Sequence, residues 1–448
     1  MKHLLARIFH TPSDFYVPPT TDGPRVSESG QAMRAKKQNR LAVLSSARMP
    51  WRRRRPDESL NILGLRWRAK YEISGLVLIL YSLLSTLSLG AATHPILPLG
   101  SPLPDFRLPA TDGRDYTPAD FAPAELLVMV FTCNHCPTAQ LYEGRLKKMV
   151  AEYQPRGVAF LAINPNHAVA VRLDEMGYTD VGDTFAEMKI RAAHQQFNFP
   201  YADDGPTQTV AEAFGAVATP HVFIFDRSRH LRYQGRIDDS EREELAKRHD
   251  TRDALEALLA AREPAVTHTK VFGCSLKWRE KTEDNLRWRE KVAREPVSVG
   301  RADAAALRAL RANTGTGKVR LINAWATWCG PCVSEFDELI EQNLRFRHRD
   351  FELVTLAAQF PDEEAKVLKF LREHHASTRN LIFGSTDKYA LLEALDPEWS
   401  GALPHTLLLG PDGKVLYRET GSIDFLALRR AIVPALNALS PWIDRSNN

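Results

Sequence analysis

Cysteine is scarce in this chain: five residues in 448, too few and too unevenly spaced for the disulfide framework of a small secreted scaffold. Charge of a single sign is scarce too. The formal net charge is +4, and the excess sits at one end. Residues 1–70 hold fifteen Lys+Arg against five Asp+Glu, which leaves the remainder at −6. A basic leader before a mildly acidic body excludes the folded basic face of a nucleic-acid-binding protein. Residues 1–70 also lack a sustained apolar period. They carry Pro-Pro, Thr-Pro and Asp-Gly breaks and the run Arg52–Arg55, so they read as a disordered leader, with Met49 as a candidate later start.

One stretch lacks charge altogether. From Ile73 to Ala92 the chain reads ISGLVLILYSLLSTLSLGAA, after Arg66, Arg68 and Lys70 and closing on Gly90-Ala91-Ala92. A positive flank, an apolar centre and a small-residue exit form the layout of a secretory signal. At about 1.5 Å per residue the same run just spans a bilayer core of about 30 Å. A cleaved signal and a retained membrane anchor both fit, and either exports the rest of the chain to the periplasm or an equivalent extracytoplasmic space.

What is present is apolar matter enough for two cores, 44% of the residues. After a Pro-rich entry, residues 125–131 (ELLVMVF) form a short apolar run suited to a strand buried on both faces. A Cys-x-x-Cys pair, Cys133 and Cys136, follows at once, then a helical pattern through Leu141, Leu146, Met149 and Val150. Strands are expected at 158–163, 221–225 and 231–233, with helices near 184–196, 208–214 and 253–262, and 167–200 reads as an insertion. The order recurs: helix 303–311, strand 319–324, the pair Cys329 and Cys332, a helix to about 346, strand 351–356, helix 363–374, strand 380–383, helix 389–395, strands 406–409 and 414–417, and a last helix 425–439. Such alternation predicts an α/β fold. The division expected is a domain at 98–277, a charged linker helix at 278–299 and a second domain at 300–442. The near-repeat KWREK and RWREK within the linker suits a solvated helix, or a spacer docking through Trp278 and Trp288.

Thiol–disulfide exchange needs a thiolate near neutral pH, whereas a free thiol titrates at about 8.5. A cysteine at a helix start gains unpaired N–H donors and roughly half a positive charge, and a second cysteine three residues on can reach back to release a mixed disulfide. Both pairs follow an apolar strand and are expected to open a helix with their first cysteine. Cys329 is then the nucleophile and Cys332 the resolving thiol, with the Trp328 ring shielding the bond and Pro331 in the first helical turn. No second ligand pair stands at zinc-binding spacing, and no cofactor or metal is expected.

Residues 300–440 resemble the thioredoxin superfamily, specifically the exported TlpA/ResA-type thiol-disulfide oxidoreductases, through the strand, Trp328-Cys329-Gly330-Pro331-Cys332, Glu335, and Leu403-Pro404 before a strand. The resemblance implies that Glu335 handles protons from a buried position and that Pro404 is cis and lines the substrate groove. Asp337 departs from the family's usual proline. The first domain is similar to the redoxin (AhpC/TSA-like) branch, with FTCNHCP at 131–137 and Thr219-Pro220 as the matching cis-proline candidate. That similarity implies Cys133 as nucleophile and Cys136 as its partner. His135 is either an imidazolium that stabilises thiolate or a solvent-exposed side chain. Cys274, in a Gly-Cys-Ser-Leu-Lys-Trp stretch, is either a third redox thiol or a buried structural cysteine.

The expectation is thus two tandem thioredoxin-like folds, each a central mixed sheet flanked by helices, exchanging disulfides with protein thiols. Two rivals stand beside it. A thiol peroxidase would carry Pro-x-x-x-Thr/Ser-x-x-Cys, but Val130 precedes Cys133 by three residues and Cys133 itself precedes Cys136. A Cu(I) chaperone would use Cys133, His135 and Cys136 as soft ligands, although adjacent residues of one loop rarely converge on a single ion.

Overall fold

The computed structural model describes residues 94–441; the leader 1–70, the apolar run 73–92 and the last residue of the expected second domain lie outside them. Among the described residues, no helix is long and apolar enough to cross a membrane. Two sheets organise the chain, both within the compact unit Leu89–Asn448.

A small ribbon, β1 (Leu108–Pro109) and β2 (Asp115–Tyr116), precedes the first sheet. That sheet holds β3 (Leu126–Phe131), β4 (Val158–Asn164), β5 (Tyr201–Asp203), β7 (His221–Phe225) and β8 (Leu231–Gly235) in the order β5-β4-β3-β7-β8. β3 is central because all six of its residues are apolar and can be covered on both faces. Its alternate side chains feed opposite cores. Leu126, Val128 and Val130 pack with Tyr142, Leu146 and Met149, while Leu127, Met129 and Phe131 pack with Phe214 and Phe223. β3 runs parallel to β4 and antiparallel to β7. Around the sheet lie α1 (Pro137–Tyr153), α2 (Phe185–Gln195), α3 (Thr209–Phe214) and α4 (Asp250–Leu259). Two short strands off the sheet, β6 (Ala218–Thr219) and β9 (Cys274–Ser275), pair antiparallel.

The second sheet repeats the plan: β10 (Gly300–Ala302), β11 (Val319–Trp325), β12 (Phe351–Ala357), β13 (Arg379–Phe383), β14 (His405–Leu409) and β15 (Val415–Thr420), in the order β10-β13-β12-β11-β14-β15. Central β11 again has one parallel and one antiparallel neighbour, β12 and β14. Its helices are α6 (Ala304–Ala312), α7 (Gly330–Phe346), α8 (Glu364–Glu373), α9 (Lys388–Leu395) and α10 (Phe425–Leu439). Both units are thioredoxin-like α/β folds.

Between them lies α5 (Thr282–Ala293), which is no freely solvated linker. Asn285 donates to the carbonyls of Val169 and Val171, Arg172 lies over the Trp288 ring, and Arg347, just past the end of α7, pairs with Glu295. The charged face seen in the sequence is partly spent on these contacts. The segment read as an insertion, 167–200, is followed by a strand that was not expected, β5, where Tyr201 and Ala202 are buried against the two cores.

Candidate active sites

In the second unit β11 ends at Trp325 and α7 starts at Gly330, so Cys329 is the cap residue. Its Sγ accepts from the Cys332 N–H at 3.4 Å, and the two sulfurs are bonded at 2.12 Å. Both cysteines are buried, whereas Trp328 beside them is 64% exposed. Leu403-Pro404 is cis. Glu335, one turn beyond Cys332, is half-buried; its Oε2 accepts from the Ile423 N–H at 3.0 Å and its Oε1 is buried without a partner. Burial raises its pKa, with nearby Glu338 adding to the effect. Asp337, where a proline was expected, binds His374 Nδ1 at 2.5 Å.

The first unit differs. β3 ends at Phe131 but α1 starts only at Pro137, so the helix is capped by Cys136, not by Cys133. The expectation that both pairs open their helix with the first cysteine fails here. The cause is a distant side chain: the N–H groups of Asn134 and His135 donate to Asp183 Oδ1 at 2.9 and 3.1 Å, which holds this stretch in a loop. Relative to its helix, the motif is displaced by three residues. Cys136 stands where Cys329 stands, and Ala139, not a cysteine, occupies the place of Cys332. A signal was available, since Pro137 directly after Cys136 marks a first helical position.

Cys136 Sγ accepts from the Ala139 N–H at 3.4 Å and lies 3.3 Å from the Thr219 carbonyl. Cys133 Sγ lies 3.3 Å from Thr219 Oγ1. Thr219-Pro220 is cis, and Thr219 pairs with Cys274 across β6 and β9. Cys274 packs against the buried Cys133–Cys136–Ala139 cluster, and it shares a side-chain hydrogen bond with Cys136. The Cys133/Cys136 pair and the remote Cys274 are thus brought together at one residue, Thr219.

His135 is 2% exposed, which overturns its reading as a solvent-exposed side chain. Its Nδ1 lies 2.6 Å from Asp183 Oδ2, and its Nε2 is buried without a partner. Burial opposes the imidazolium, but the Asp183 carboxylate outweighs it and raises the His135 pKa. Asp183 is held below its ordinary range: burial works against its charge, and His135 and the Asn166 amide overcome that. Burial likewise disfavours charge on Cys136, yet the Cys133 and Cys274 thiols, the His135 imidazolium and the Ala139 N–H together hold its pKa well below the ordinary thiol value. Burial and the hydrogen bond to Cys136 push Cys133 up. The hydrogen bond to Cys136, then burial, push Cys274 up. Among the three thiols of this site, Cys136 is the one whose pKa is held down; when protonated, its Sγ–H donates to the Thr219 carbonyl.

Cys133, His135 and Asp183 bring ligand atoms within 4.8 Å of one another, a set with metal-ligating chemistry. The argument that neighbours in one loop do not converge missed Asp183, which arrives from a distant segment. A cation there would displace the His135–Asp183 bond. Sequence reasoning also missed the histidines that follow the two cis prolines. His221 is buried, its pKa pushed down to about 3 by burial. His405 is fixed between Asp396 and Thr420 and stacked on Trp399.

Residues 99–234 match the AhpC/TSA family and residues 304–426 match the Redoxin family. Among curated relatives, the chain is 29% identical to thiol:disulfide interchange protein CycY of Rhizobium leguminosarum bv. viciae, over 32% of this chain and 69% of that one. It is 30% identical to thiol-disulfide oxidoreductase ResA of Bacillus subtilis (strain 168), over 24% and 55%. The matched segments thus span from about half to two thirds of these relatives' lengths. A crystal structure of a hypothetical protein from Sinorhizobium meliloti 1021 is 33% identical, covering 41% of this chain and 96% of its own, with a TM-score of 0.36.

Proposed function

For a chain that belongs to the thioredoxin superfamily, with an AhpC/TSA-type unit followed by a Redoxin unit, we propose thiol–disulfide exchange with protein thiols at two sites, Cys133/Cys136 and Cys329/Cys332. The observation that carries this reading is the shared geometry of Cys136 and Cys329. Each sulfur caps the helix after the central strand, accepts a backbone N–H of the first turn, and belongs to a unit with a cis proline before the antiparallel neighbour strand. A capping sulfur is stabilised as thiolate by the helix terminus, which makes it the attacking atom. In the second unit Cys332 resolves. In the first, we assign attack to Cys136, reversing the roles expected from the motif. Glu335, kept protonated more readily by burial, supplies or takes the proton as Cys332 changes state. Exposed Trp328 and the Leu403-Pro404 edge form the docking surface for a substrate chain. The names of the curated relatives support the same chemistry.

The domain limits 98–277 and 300–442, with export through residues 73–92 to an extracytoplasmic space, belong to the same proposal. Its test separates the sites. Reduction potentials are measured for each pair while the other is Cys→Ser, and exported proteins are screened for mixed disulfides. Cys332→Ser should accumulate mixed disulfides through Cys329, and Cys329→Ser should abolish exchange at that site. Two pairs indifferent to every thiol and disulfide probe would refute the assignment.

A further inference from the structure

Resting on that reading of the first site, we propose that Cys274 is its third redox thiol, the one through which partner thiols reach a pair otherwise sealed from solvent. Cys133 and Cys136 are 3% and 0% exposed, so Cys136, the helix-capping sulfur, is fully covered in this conformation. Cys274 is the partly exposed member of the cluster. Ala139 occupies the helix position from which Cys332 resolves in the other unit, so Cys136 has no partner within its own first turn. Its neighbours are Cys133 on the strand-side loop and Cys274 on β9.

The position of Cys274 is built, not incidental. Gly273 lies at φ +134°, and a Cβ there would fall 2.1 Å from the Thr219 carbonyl oxygen, so only glycine lets β9 press this closely on the cis-proline segment. The residues after it are clamped. Leu276 is buried in the core, the Lys277 N–H donates to Asn166 Oδ1 at 2.8 Å, Gln208 donates to the Lys277 carbonyl at 3.1 Å, and Lys277 Nζ pairs with Glu175 at 2.5 Å.

The exchange balances within the three sulfurs. In a Cys133–Cys136 disulfide Cys136 is no longer free to hold the Cys274 proton; Cys274 gives up that proton and attacks Cys136 Sγ. The Cys136–Cys274 bond forms, the Cys133–Cys136 bond breaks, and Cys133 leaves as thiolate and takes a proton equivalent to the one Cys274 lost. No net oxidation occurs. A substrate dithiol then attacks Cys274, Cys136 leaves as thiolate, and the substrate's second thiol resolves the mixed disulfide. The substrate loses two electrons and the protein disulfide gains them.

The test uses the full chain with Cys329 and Cys332 intact as an internal control. Single variants are oxidised in glutathione buffers, trapped by alkylation and mapped by peptide mass spectrometry. Cys133→Ser should form a Cys136–Cys274 bond, Cys136→Ser should form none within this site, and Cys274→Ser should keep Cys133–Cys136. If Cys133→Ser leaves Cys136 and Cys274 both free while Cys329–Cys332 is oxidised, the third-thiol proposal is wrong. Absence of the Cys133–Cys136 bond in Cys274→Ser instead defeats the underlying reading of the pair. Should Cys133→Ser not fold, wild-type protein poised across a series of potentials answers the question: the Cys136–Cys274 peptide must appear at some potential, and its absence at all of them overturns the proposal.

Discussion

At Cys136 two effects oppose each other, burial against charge and a ring of donors in its favour, and the donors win. His135 is the imidazole of that ring, and the Asp183 carboxylate raises its pKa against burial, favouring its charged form. Peptide-resolved alkylation of the reduced protein should therefore show Cys136 reacting well below the pH at which ordinary thiols do. In His135→Ala the midpoint should rise by roughly one pH unit or more. An unmoved midpoint would remove the imidazolium from the account. The same ion pair sets a stability window. His135 titrates above its ordinary 6.5 when folded, so its contribution is whole below that pH and is lost as pH climbs through the raised value. Asp183 titrates below its ordinary 3.8, so its contribution is present above that pH and is lost as pH falls through the lowered value. Asp183→Asn should then cost about 3 kcal/mol or more between those limits, and less outside them. Urea unfolding at a series of pH values measures the difference.

Among the elements, β9 is two residues long and yet sets the chemistry of the first site, because it carries Cys274 to Thr219. Its hold depends on Gly273. Gly273→Ala would need its Cβ to clear the Thr219 carbonyl in a backbone conformation that side chains rarely adopt. A loss of about 1–3 kcal/mol is expected, read as a lowered Tm, together with a reduced yield of the Cys136–Cys274 bond. An unchanged Tm and yield would mean that β9 is not pinned there. Helix starts tell a related story. α7 was legible because Gly330-Pro331 follow Cys329, whereas α1 was misplaced by three residues because the motif was weighed more heavily than Pro137.

In the whole molecule, the two units meet through arginines of α7, α10 and the turn after α7. Arg345 is fully buried; it donates to the Thr179 carbonyl at 3.3 Å, and desolvation pushes its pKa down to about 10. Arg349 donates to the Gly177 carbonyl and lies over the Tyr178 ring, Arg429 donates to the Asp180 carbonyl, and Arg430 pairs with the Asp180 carboxylate. This contact falls on the segment that leads directly to Asp183, so the interface and the first site share a stretch of chain. Replacing both Arg345 and Arg349 by Ala should split a single calorimetric unfolding transition into two and expose residues 294–300 to proteases. One transition at an unaltered Tm would show that the units do not stabilise each other.

Most strands and helices of both units and the two Cys-x-x-Cys pairs could be read from sequence, because each is a local matter: apolar runs of strand length and turns between hydrophobic stretches. The short strands β1, β2, β5, β6, β9 and β10 were not, and the cis-proline positions came from the family resemblance, not from local pattern. Which cysteine is the thiolate could not be read from sequence. That depends on Asp183, 47 residues beyond Cys136, holding His135 and its neighbours out of the helix, and on Cys274 arriving from 138 residues away. Local composition carries no record of such meetings. A buried charge takes its pKa from whatever the fold sets beside it, and only the assembled core brings those groups into reach.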